Sequence, residues 1–194
     1  MRQRLVVLIS GSGTNLLSLL ETLPETTIPA DVVAVGADTD APGLRHATQR
    51  SIPTFVLPLS QFSSREQWGE ALGDALDSHN PDLIILSGFM KLLPASLVGR
   101  FAPRILNTHP AYLPEFPGAH AVRDALDAGV AQTGASVIVV DDGVDTGEIL
   151  AQERVLIEPG DDESALHDRI KVAERRLLLQ VLGTLCSEKG NTSA

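Results

Sequence analysis

The feature that most restricts the fold of this chain is a series of short, near-continuous runs of Val, Ile and Leu. The runs at 4–9 (RLVVLI), 31–36 (DVVAVG) and 82–87 (DLIILS) contain few polar residues, and helical patterns separate them. Strands that are covered by helices on both faces have this composition, and such strands are usually parallel. The pattern predicts an α/β fold with a single doubly wound, mostly parallel sheet flanked by helices.

The same periodicity predicts where the individual elements lie. The expected strands are at 4–9, 31–36, 53–57, 82–87, 104–108, 135–140 and 149–156. A helix is expected after Ser63, which has the spacing of a capping box with Glu66. The last helix is expected from about Asp162, with an apolar stripe of Leu166, Ile170, Ala173, Leu177 and Val181. We expect one domain over 1–194, with fraying at 188–194.

Composition argues against several classes of partner. The 194 residues have a formal net charge of −10 and no basic patch, so nucleic-acid binding is not expected. The chain does not start like a signal peptide and its apolar runs are too short to span a bilayer, so no membrane association is expected. The lone Cys186 excludes an intramolecular disulfide and fits the cytoplasm. A homodimer is compatible with the sequence, which does not determine the oligomeric state.

The segment ISGSGTN at 9–15 has the order of a strand end, a glycine-rich turn and a helix start, which is typical of an anion site. Leu16 stands where a dinucleotide fingerprint requires its third glycine, and the first 90 residues contain no lysine for a nucleotide P-loop. One phosphate is therefore the best fit, although a plain turn capped by Thr14 or Asn15 explains the segment too. Asp38 could bind a nicotinamide ribose, but turn chemistry accounts for it equally well.

A second polar pattern lies in RILNTHPAYLPEFPG at 104–118, near the expected carboxyl end of a strand. Residues two apart in a strand face the same way, so Asn107 and His109 should present their side chains together. An amide can stabilise a developing oxyanion while an imidazole transfers a proton. The pair is also compatible with a structural role. No cluster of His, Asp and Glu has the spacing of metal ligands, so no metal is expected.

Four segments together resemble the phosphoribosylglycinamide formyltransferases, a family of folate-dependent enzymes of purine biosynthesis. They are LISGSGTNL (8–16), LSGFMKLLP (86–94), ILNTHPAYLPEFPGAHAVRDAL (105–126) and GVDTG (143–147), in the order and spacing of the family. The likeness extends from about residue 4 to residue 180. It implies a Rossmann-like formyltransferase fold. It also implies transfer of a formyl group from 10-formyltetrahydrofolate to the amine of glycinamide ribonucleotide.

The resemblance implies roles for three polar residues. Asn107 would stabilise the oxyanion of a tetrahedral intermediate and contact the folate, and His109 would donate a proton. Asp145 would pair with His109 and keep its imidazole charged, because an opposite charge nearby favours the charged form. Without the resemblance, Asp145 would be interpreted as a turn residue, like Asp141 and Asp142.

The other site residues are assigned by the same likeness. Gly13, Thr14 and Asn15 would hold the single 5′-phosphate of the substrate. Glu174 would contact the ribose. The alternative interpretation is that it lies on an ordinary solvated helix face. The folate side would consist of Arg65, Met90, Lys91, Leu92 and Leu93. 10-Formyltetrahydrofolate is the expected co-substrate, and neither a metal nor a nicotinamide cofactor is expected.

Two positions depart from the family. Ile138 and Val122 stand where members often carry histidines, and the implied fold puts both near the site, where they would affect folate binding rather than the reaction.

Other formyltransferase and nucleotide-binding functions fit less well. A tRNA-directed formyltransferase is expected to have a further carboxyl-terminal domain and a basic surface. A formyl-folate hydrolase is expected to have a regulatory domain ahead of RLVVLIS, which three residues precede. A nucleotide-binding module without catalysis would not need Asn107, His109 and Asp145 together.

Overall fold

The structure is a computed structural model that describes residues 2–191. The strands are β1 (Gln3–Ile9), β2 (Ala30–Ala37), β3 (Thr54–Val56), β4 (Leu83–Leu86), β5 (Ile105–His109), β6 (Gln132–Val139) and β7 (Ile149–Leu156). The helices are α1 (Thr14–Thr22), α2 (Leu44–Thr48), α3 (Arg65–Asp77), α4 (Ala95–Phe101), α5 (Ala121–Asp127) and α6 (Glu163–Asn191). Every strand that the apolar runs predict is present, with ends that differ by up to three residues.

The seven strands form one sheet in the order β3-β2-β1-β4-β5-β6-β7. Strands β1 to β5 are mutually parallel, whereas β6 is antiparallel to both β5 and β7. The mostly parallel sheet expected from the sequence is therefore confirmed. The chain order reverses on the two sides of β1, so β1 marks the topological switch point where ligands bind in such sheets.

Helices cover both faces of the sheet, which explains why the strands are apolar throughout. In β1, Leu5, Val7 and Ile9 pack in the cluster that contains α1, α2, α5 and α6. Val6 and Leu8 pack on the opposite face with α3 and α4. Consecutive residues of one strand are thus buried in different layers, as the period of two requires. The rigid sheet then fixes the positions of the loops at its carboxyl edge.

The start of α3 and the end of α6 differ in detail from the expectation. The cap of α3 is Ser64, whose hydroxyl accepts from the N–H of Gln67, so the capping box predicted for Ser63 and Glu66 was wrong by one residue. Ser63 instead donates to the Gln67 side chain. Helix α6 includes 188–191 of the segment expected to fray, and 192–194 lie outside the described residues. Within residues 2–191, no helix has the length and apolar character needed to cross a membrane.

Candidate active site

The loops that follow β1, β4 and β5 enclose one cavity of about 550 Å³. It lies at the carboxyl edge of the parallel strands, beside the switch point at β1. Almost every residue that the sequence assigned to the site contributes to its wall. These residues are Gly13, Thr14, Asn15, Met90, Lys91, Leu92, Leu93, Asn107, His109, Asp145 and Glu174. The structure therefore brings together residues as far apart in the sequence as Gly13 and Glu174.

Asp145 is the centre of the polar group in this cavity. Its Oδ1 accepts from Nδ2 of Asn107 at 3.3 Å, and its Oδ2 accepts from the N–H of Gly118 at 2.8 Å. The same Oδ2 lies 3.4 Å from Nδ1 of His109. Asn107 and His109 share one face of β5, as their spacing predicted, and a carboxylate from a separate loop joins them.

The imidazole of His109 is almost completely buried, with 4% of the side chain exposed. Its Nε2 donates to the carbonyl of Phe116 at 2.9 Å, and its Nδ1 faces Asp145. Both ring nitrogens therefore face oxygen atoms of the protein. The amide of Asn107 has two N–H groups, and Asp145 occupies one of them, which leaves the other for a ligand oxygen.

The loop that carries Asp145 is held in shape by local contacts. Asp141 accepts from the N–H of Gly143 and from the hydroxyl of Thr146, which makes it the turn residue that the sequence suggested. A Cβ at Gly147 would lie 1.8 Å from the carbonyl oxygen of Val139, so only glycine fits there. Asp145 itself has a φ of 53°, a left-handed conformation that its hydrogen bonds hold in place.

The glycine loop opens α1 without a side-chain cap. Gly13 is the N-cap residue with a φ of 67°, and the backbone N–H groups of the first turn lie at the cavity wall. A helix start with free N–H groups attracts an anion, because these donors and the helix dipole act in the same direction. Thr14 is exposed at this wall. The turn capped by Thr14 or Asn15, which the sequence left open, is not what the structure shows.

Asn15 connects the glycine loop to α6. Its Nδ2 donates to Oε2 of Glu174 at 2.9 Å, and its Oδ1 accepts from Nε of Arg175 at 2.9 Å. Glu174 is 4% exposed, so the alternative interpretation, that it belongs to an ordinary solvated helix face, was wrong. Burial raises the pKa of the Glu174 carboxyl, and the hydrogen bond from Asn15 opposes that shift. The Asn15 amide thus holds α6 in place as well as facing the cavity.

The comparisons with known proteins agree with this geometry. A family model described as formyl transferase matches residues 3–182. The chain belongs to the formyl transferase family. A phosphoribosylglycinamide formyltransferase of Mycobacterium tuberculosis is 49% identical over 184 residues, covering 95% of this chain and 85% of the relative. The phosphoribosylglycinamide formyltransferase of Escherichia coli is 38% identical over 174 residues, covering 89% of this chain and 82% of the relative.

A solved structure of the same kind has the same fold. The crystal structure of glycinamide ribonucleotide transformylase 1 from Symbiobacterium toebii superposes with a TM-score of 0.93 at 37% identity. The match covers 96% of this chain and 89% of the other. The family and the enzyme class that the four segments indicated are therefore confirmed, as is the formyltransferase fold.

The segment after β4 forms the second half of the cavity of this formyl transferase. The side chains of Met90 and Leu92 are exposed by 64% and 61%, although both are apolar. The segment is anchored by the Ser10 hydroxyl, which accepts from the N–H of Met90 at 2.8 Å. Asp38 pairs with Lys91 at 3.5 Å. The Asp38 carboxylate is buried in the bend that follows β2, and its Oδ2 makes this ion pair.

Arg65 is the one predicted site residue outside the cavity wall. Its guanidinium donates to the carbonyl of Leu92 at 2.6 Å from the start of α3. It therefore supports the Met90–Leu93 segment from outside, and its direct contact with folate stays a prediction.

Three further residues of α6, Glu163, His167 and Lys171, line the cavity and were missed in the sequence. His167 and Lys171 are four residues apart, and Glu174 follows three residues later, so all three share one helix face. That spacing was visible in the sequence and could have identified them. Burial, assisted by the positive charge of Lys171, lowers the pKa of His167.

The two departures from the family also lie at this cavity. Ile138 is paired with Asn107 across β5 and β6, and Val122 lies in the first turn of α5. Both are buried residues of the wall. They give the cavity wall apolar surface, which at Ile138 lies directly beside Asn107. Among residues 2–191, no group of three or more His, Cys, Asp and Glu side chains is arranged to hold a metal ion.

Proposed function

We propose that this chain transfers the formyl group of 10-formyltetrahydrofolate to the amine of glycinamide ribonucleotide, a step of purine biosynthesis. One observation carries the proposal. Asn107, His109 and Asp145 converge in the cavity that also contains the glycine loop. One small molecule could therefore place its phosphate at the glycine loop and its amine beside Asn107 and His109.

The phosphate of the ribonucleotide would bind at the start of α1. The backbone N–H groups of Gly13, Thr14 and Asn15 and the hydroxyl of Thr14 supply donors there. Lys171 contributes a positive charge to the same wall. Glu174 offers the acceptors that ribose hydroxyls require, and Asn15 holds it in position. The donors match a dianionic phosphate, and the acceptor matches the hydroxyls beyond it.

The chemistry would take place between Asn107 and His109. The substrate amine attacks the formyl carbon, and a tetrahedral intermediate with a negative oxygen forms. The second N–H of Asn107 stabilises that oxygen, since a fixed donor is most effective where charge develops. Collapse of the intermediate breaks the bond to the folate N10, which takes up a proton, while the amine nitrogen loses one. A doubly protonated His109, held by Asp145, is the donor suited to this transfer.

The folate would lie against the Met90–Leu93 segment. Its ring system is flat and largely apolar, and the exposed side chains of Met90 and Leu92 provide the matching surface. Burial of these side chains by a ring would stabilise the complex, at about 25 cal/mol for each Å² removed from water. We expect the enzyme to act in the cytoplasm, and a homodimer stays a prediction.

Absorbance-monitored formyl transfer tests the reaction directly. We expect 10-formyltetrahydrofolate to be consumed only when glycinamide ribonucleotide is present, with formylglycinamide ribonucleotide as the product. Consumption at the same rate without the ribonucleotide would show a formyl-folate hydrolase instead. A requirement for a charged tRNA would show a tRNA-directed enzyme. Either result would contradict the proposal.

A double-mutant cycle tests the pairing of His109 with Asp145. Each of His109→Ala and Asp145→Asn should lower kcat strongly, because the proton donor is lost or left without its partner. Residues that act as a unit are non-additive, so Asp145→Asn should have almost no further effect in the His109→Ala background. Fully additive losses would mean that Asp145 acts independently of His109, for example by ordering its own loop.

A further inference from the structure

The glycine loop is held from behind by a second segment, at the start of α2. The N–H of Gly43 donates to the carbonyl oxygen of Gly11 at 3.0 Å. Nε2 of His46 lies 3.1 Å from the carbonyl oxygen of Ser12 and must be the donor, because a carbonyl only accepts. Two consecutive carbonyls of the loop are therefore satisfied from the side of α2.

These two hydrogen bonds orient the N–H groups on the opposite side of the loop. A trans peptide is planar, so its C=O and the following N–H point in opposite directions. When the carbonyl of Gly11 faces α2, the N–H of Ser12 faces away from α2, and the carbonyl of Ser12 fixes the N–H of Gly13 in the same way. Ser12 and Gly13 are both residues of the cavity wall. The contacts from α2 thus set the direction of the donors that an anion would meet.

Close packing makes this support rigid. A Cβ on Gly13 would lie 2.9 Å from the Cα of Gly43, and a Cβ on Gly43 would lie 2.8 Å from the Cα of Gly13. His46 is only 8% exposed, and its own carbonyl accepts from the guanidinium of Arg50. Burial of a polar imidazole is unfavourable unless the ring makes a hydrogen bond, and the carbonyl of Ser12 accepts that bond from His46.

We propose that His46 is a positioning residue for phosphate recognition, which it serves by fixing the peptide between Ser12 and Gly13 through its Nε2–H. The inference rests on the proposed function, since it assumes that the loop binds the phosphate of the ribonucleotide. His46 lies behind the loop and is not among the residues of the cavity wall. It acts on the ligand only through the backbone.

The test compares two ligands that differ only in the phosphate. We would measure the dissociation constants of glycinamide ribonucleotide and of the dephosphorylated ribonucleoside, together with the KM for 10-formyltetrahydrofolate. In His46→Ala, the preference for the ribonucleotide should fall by about tenfold, the cost of one disturbed hydrogen bond to an anion. Affinity for the ribonucleoside and the KM for the folate should change little.

Two substitutions at the same position separate positioning from packing. In His46→Gln the amide nitrogen can take the place of Nε2, so the preference for the ribonucleotide should be restored. In His46→Asn the amide is too short to reach Ser12, so the preference should stay low. His79→Ala removes a half-buried histidine from the turn that follows α3, where its carbonyl contacts Arg4, and serves as the matched control.

The outcomes distinguish this inference from the proposed function. If the wild-type protein binds the ribonucleotide and the ribonucleoside equally well, phosphate recognition by the loop is wrong. If the wild-type protein prefers the ribonucleotide and His46→Ala keeps that preference, the role of His46 is wrong. Equal losses for both ligands in His46→Ala, tracked by a lower melting temperature and not rescued by His46→Gln, would show a packing role and also overturn the inference.

Discussion

The two halves of the cavity are built in opposite ways. On the side proposed to bind phosphate, the glycine loop is fixed by backbone and side-chain hydrogen bonds, and Asn15 donates to Glu174. On the side proposed to bind folate, Met90 and Leu92 expose most of their apolar surface and are held through hydrogen bonds of their backbone. One half is preorganised before a ligand arrives, and the other offers surface that a ligand would cover.

The difference follows from the ligands that each half would take. A phosphate is small and strongly hydrated, and only donors that are already aligned replace its water without an ordering cost. A large flat ring is recognised through area, and flexible apolar side chains such as Met adapt to it. We therefore expect substitutions on the phosphate side to alter directed hydrogen bonds, and those on the folate side to alter buried area.

The largest effect is expected at Asn107, where the two halves meet. Asn107→Ala should lower kcat by about 10²–10³, equivalent to roughly 2.7–4 kcal/mol, since one oxyanion donor is lost. Asn107→Asp should be worse, because it puts a second carboxylate beside Asp145 where negative charge develops in the reaction. Steady-state kcat measured with both substrates saturating tests the prediction.

Asn80→Asp is the matched control for that change. It introduces the same charge at an exposed residue whose carbonyl contacts Arg4, away from the cavity. It should leave kcat unchanged. Near-normal turnover in Asn107→Asp would mean that Asn107 does not stabilise the oxyanion.

Thr14 gives the next largest effect and probes the preorganised half. Thr14→Val keeps the shape of the side chain and removes the hydroxyl of an exposed residue of the cavity wall. Loss of one hydrogen bond to a charged group corresponds to about 1.5–3 kcal/mol, so the KM for the ribonucleotide should rise roughly 10- to 150-fold. The KM for the folate should not change.

Thr184→Val makes the same substitution on an exposed turn of α6 and should change neither constant. A larger effect of Thr14→Val on the folate than on the ribonucleotide would assign the loop to the wrong ligand.

Leu92 gives a smaller effect and probes the adaptable half. Leu92→Ser should weaken folate binding by about 1–2 kcal/mol, the transfer energy of a partly buried Leu side chain. The ribonucleotide constant should stay the same. The melting temperature should also stay the same, because the side chain is 61% exposed in the free protein. Titration of folate binding and a thermal scan measure the two effects.

Leu156→Ser is the matched control, since Leu156 is a 66% exposed leucine on β7 that does not line the cavity. Equal loss of folate affinity in both variants would show that the effect is general rather than local to the proposed folate surface.

The sequence predicted the strands because their signal is local. An apolar run such as that of β1 reports burial on both faces without any knowledge of its neighbours. Asn107 and His109 were paired for the same reason, by their spacing within one strand. Ser63 and Ser64 are equally good caps, so local chemistry alone could not choose between them.

Contacts between distant segments were beyond that kind of prediction. The bond between Asn15 and Glu174 spans 159 positions, and no property of either residue indicates the other. Nothing in the sequence indicated a role for His46, because an isolated histidine beside a turn belongs to no recognisable motif or spacing. Asp145 became identifiable only through its family motif, since its role depends on a loop that returns to β5.

The smallest effect is expected at Glu174 and concerns the stability cost of preorganisation. Burial raises the pKa of this carboxyl from an ordinary value of 4.5, so the folded state favours the protonated form. Below pH 4.5 the carboxyl is protonated in both states, and its contribution to stability is fully present. As the pH rises through the raised pKa of the folded state, the unfolded state is already ionised and that contribution is lost.

Glu174→Gln removes the ionisation and keeps the size of the side chain and an oxygen for Asn15. The variant should therefore gain stability relative to the wild-type protein as the pH rises from 4.5 to 8, by about 2–4 °C in melting temperature for each kcal/mol. Glu70→Gln on the exposed side of α3 controls for the loss of one negative charge. Thermal scans across this range test the sign. A difference that stays flat, or one that favours the wild-type protein at high pH, would mean that the carboxylate of Glu174 is fully compensated by Asn15 and the nearby cations. The phosphate half of the cavity would then be preorganised without a cost in stability.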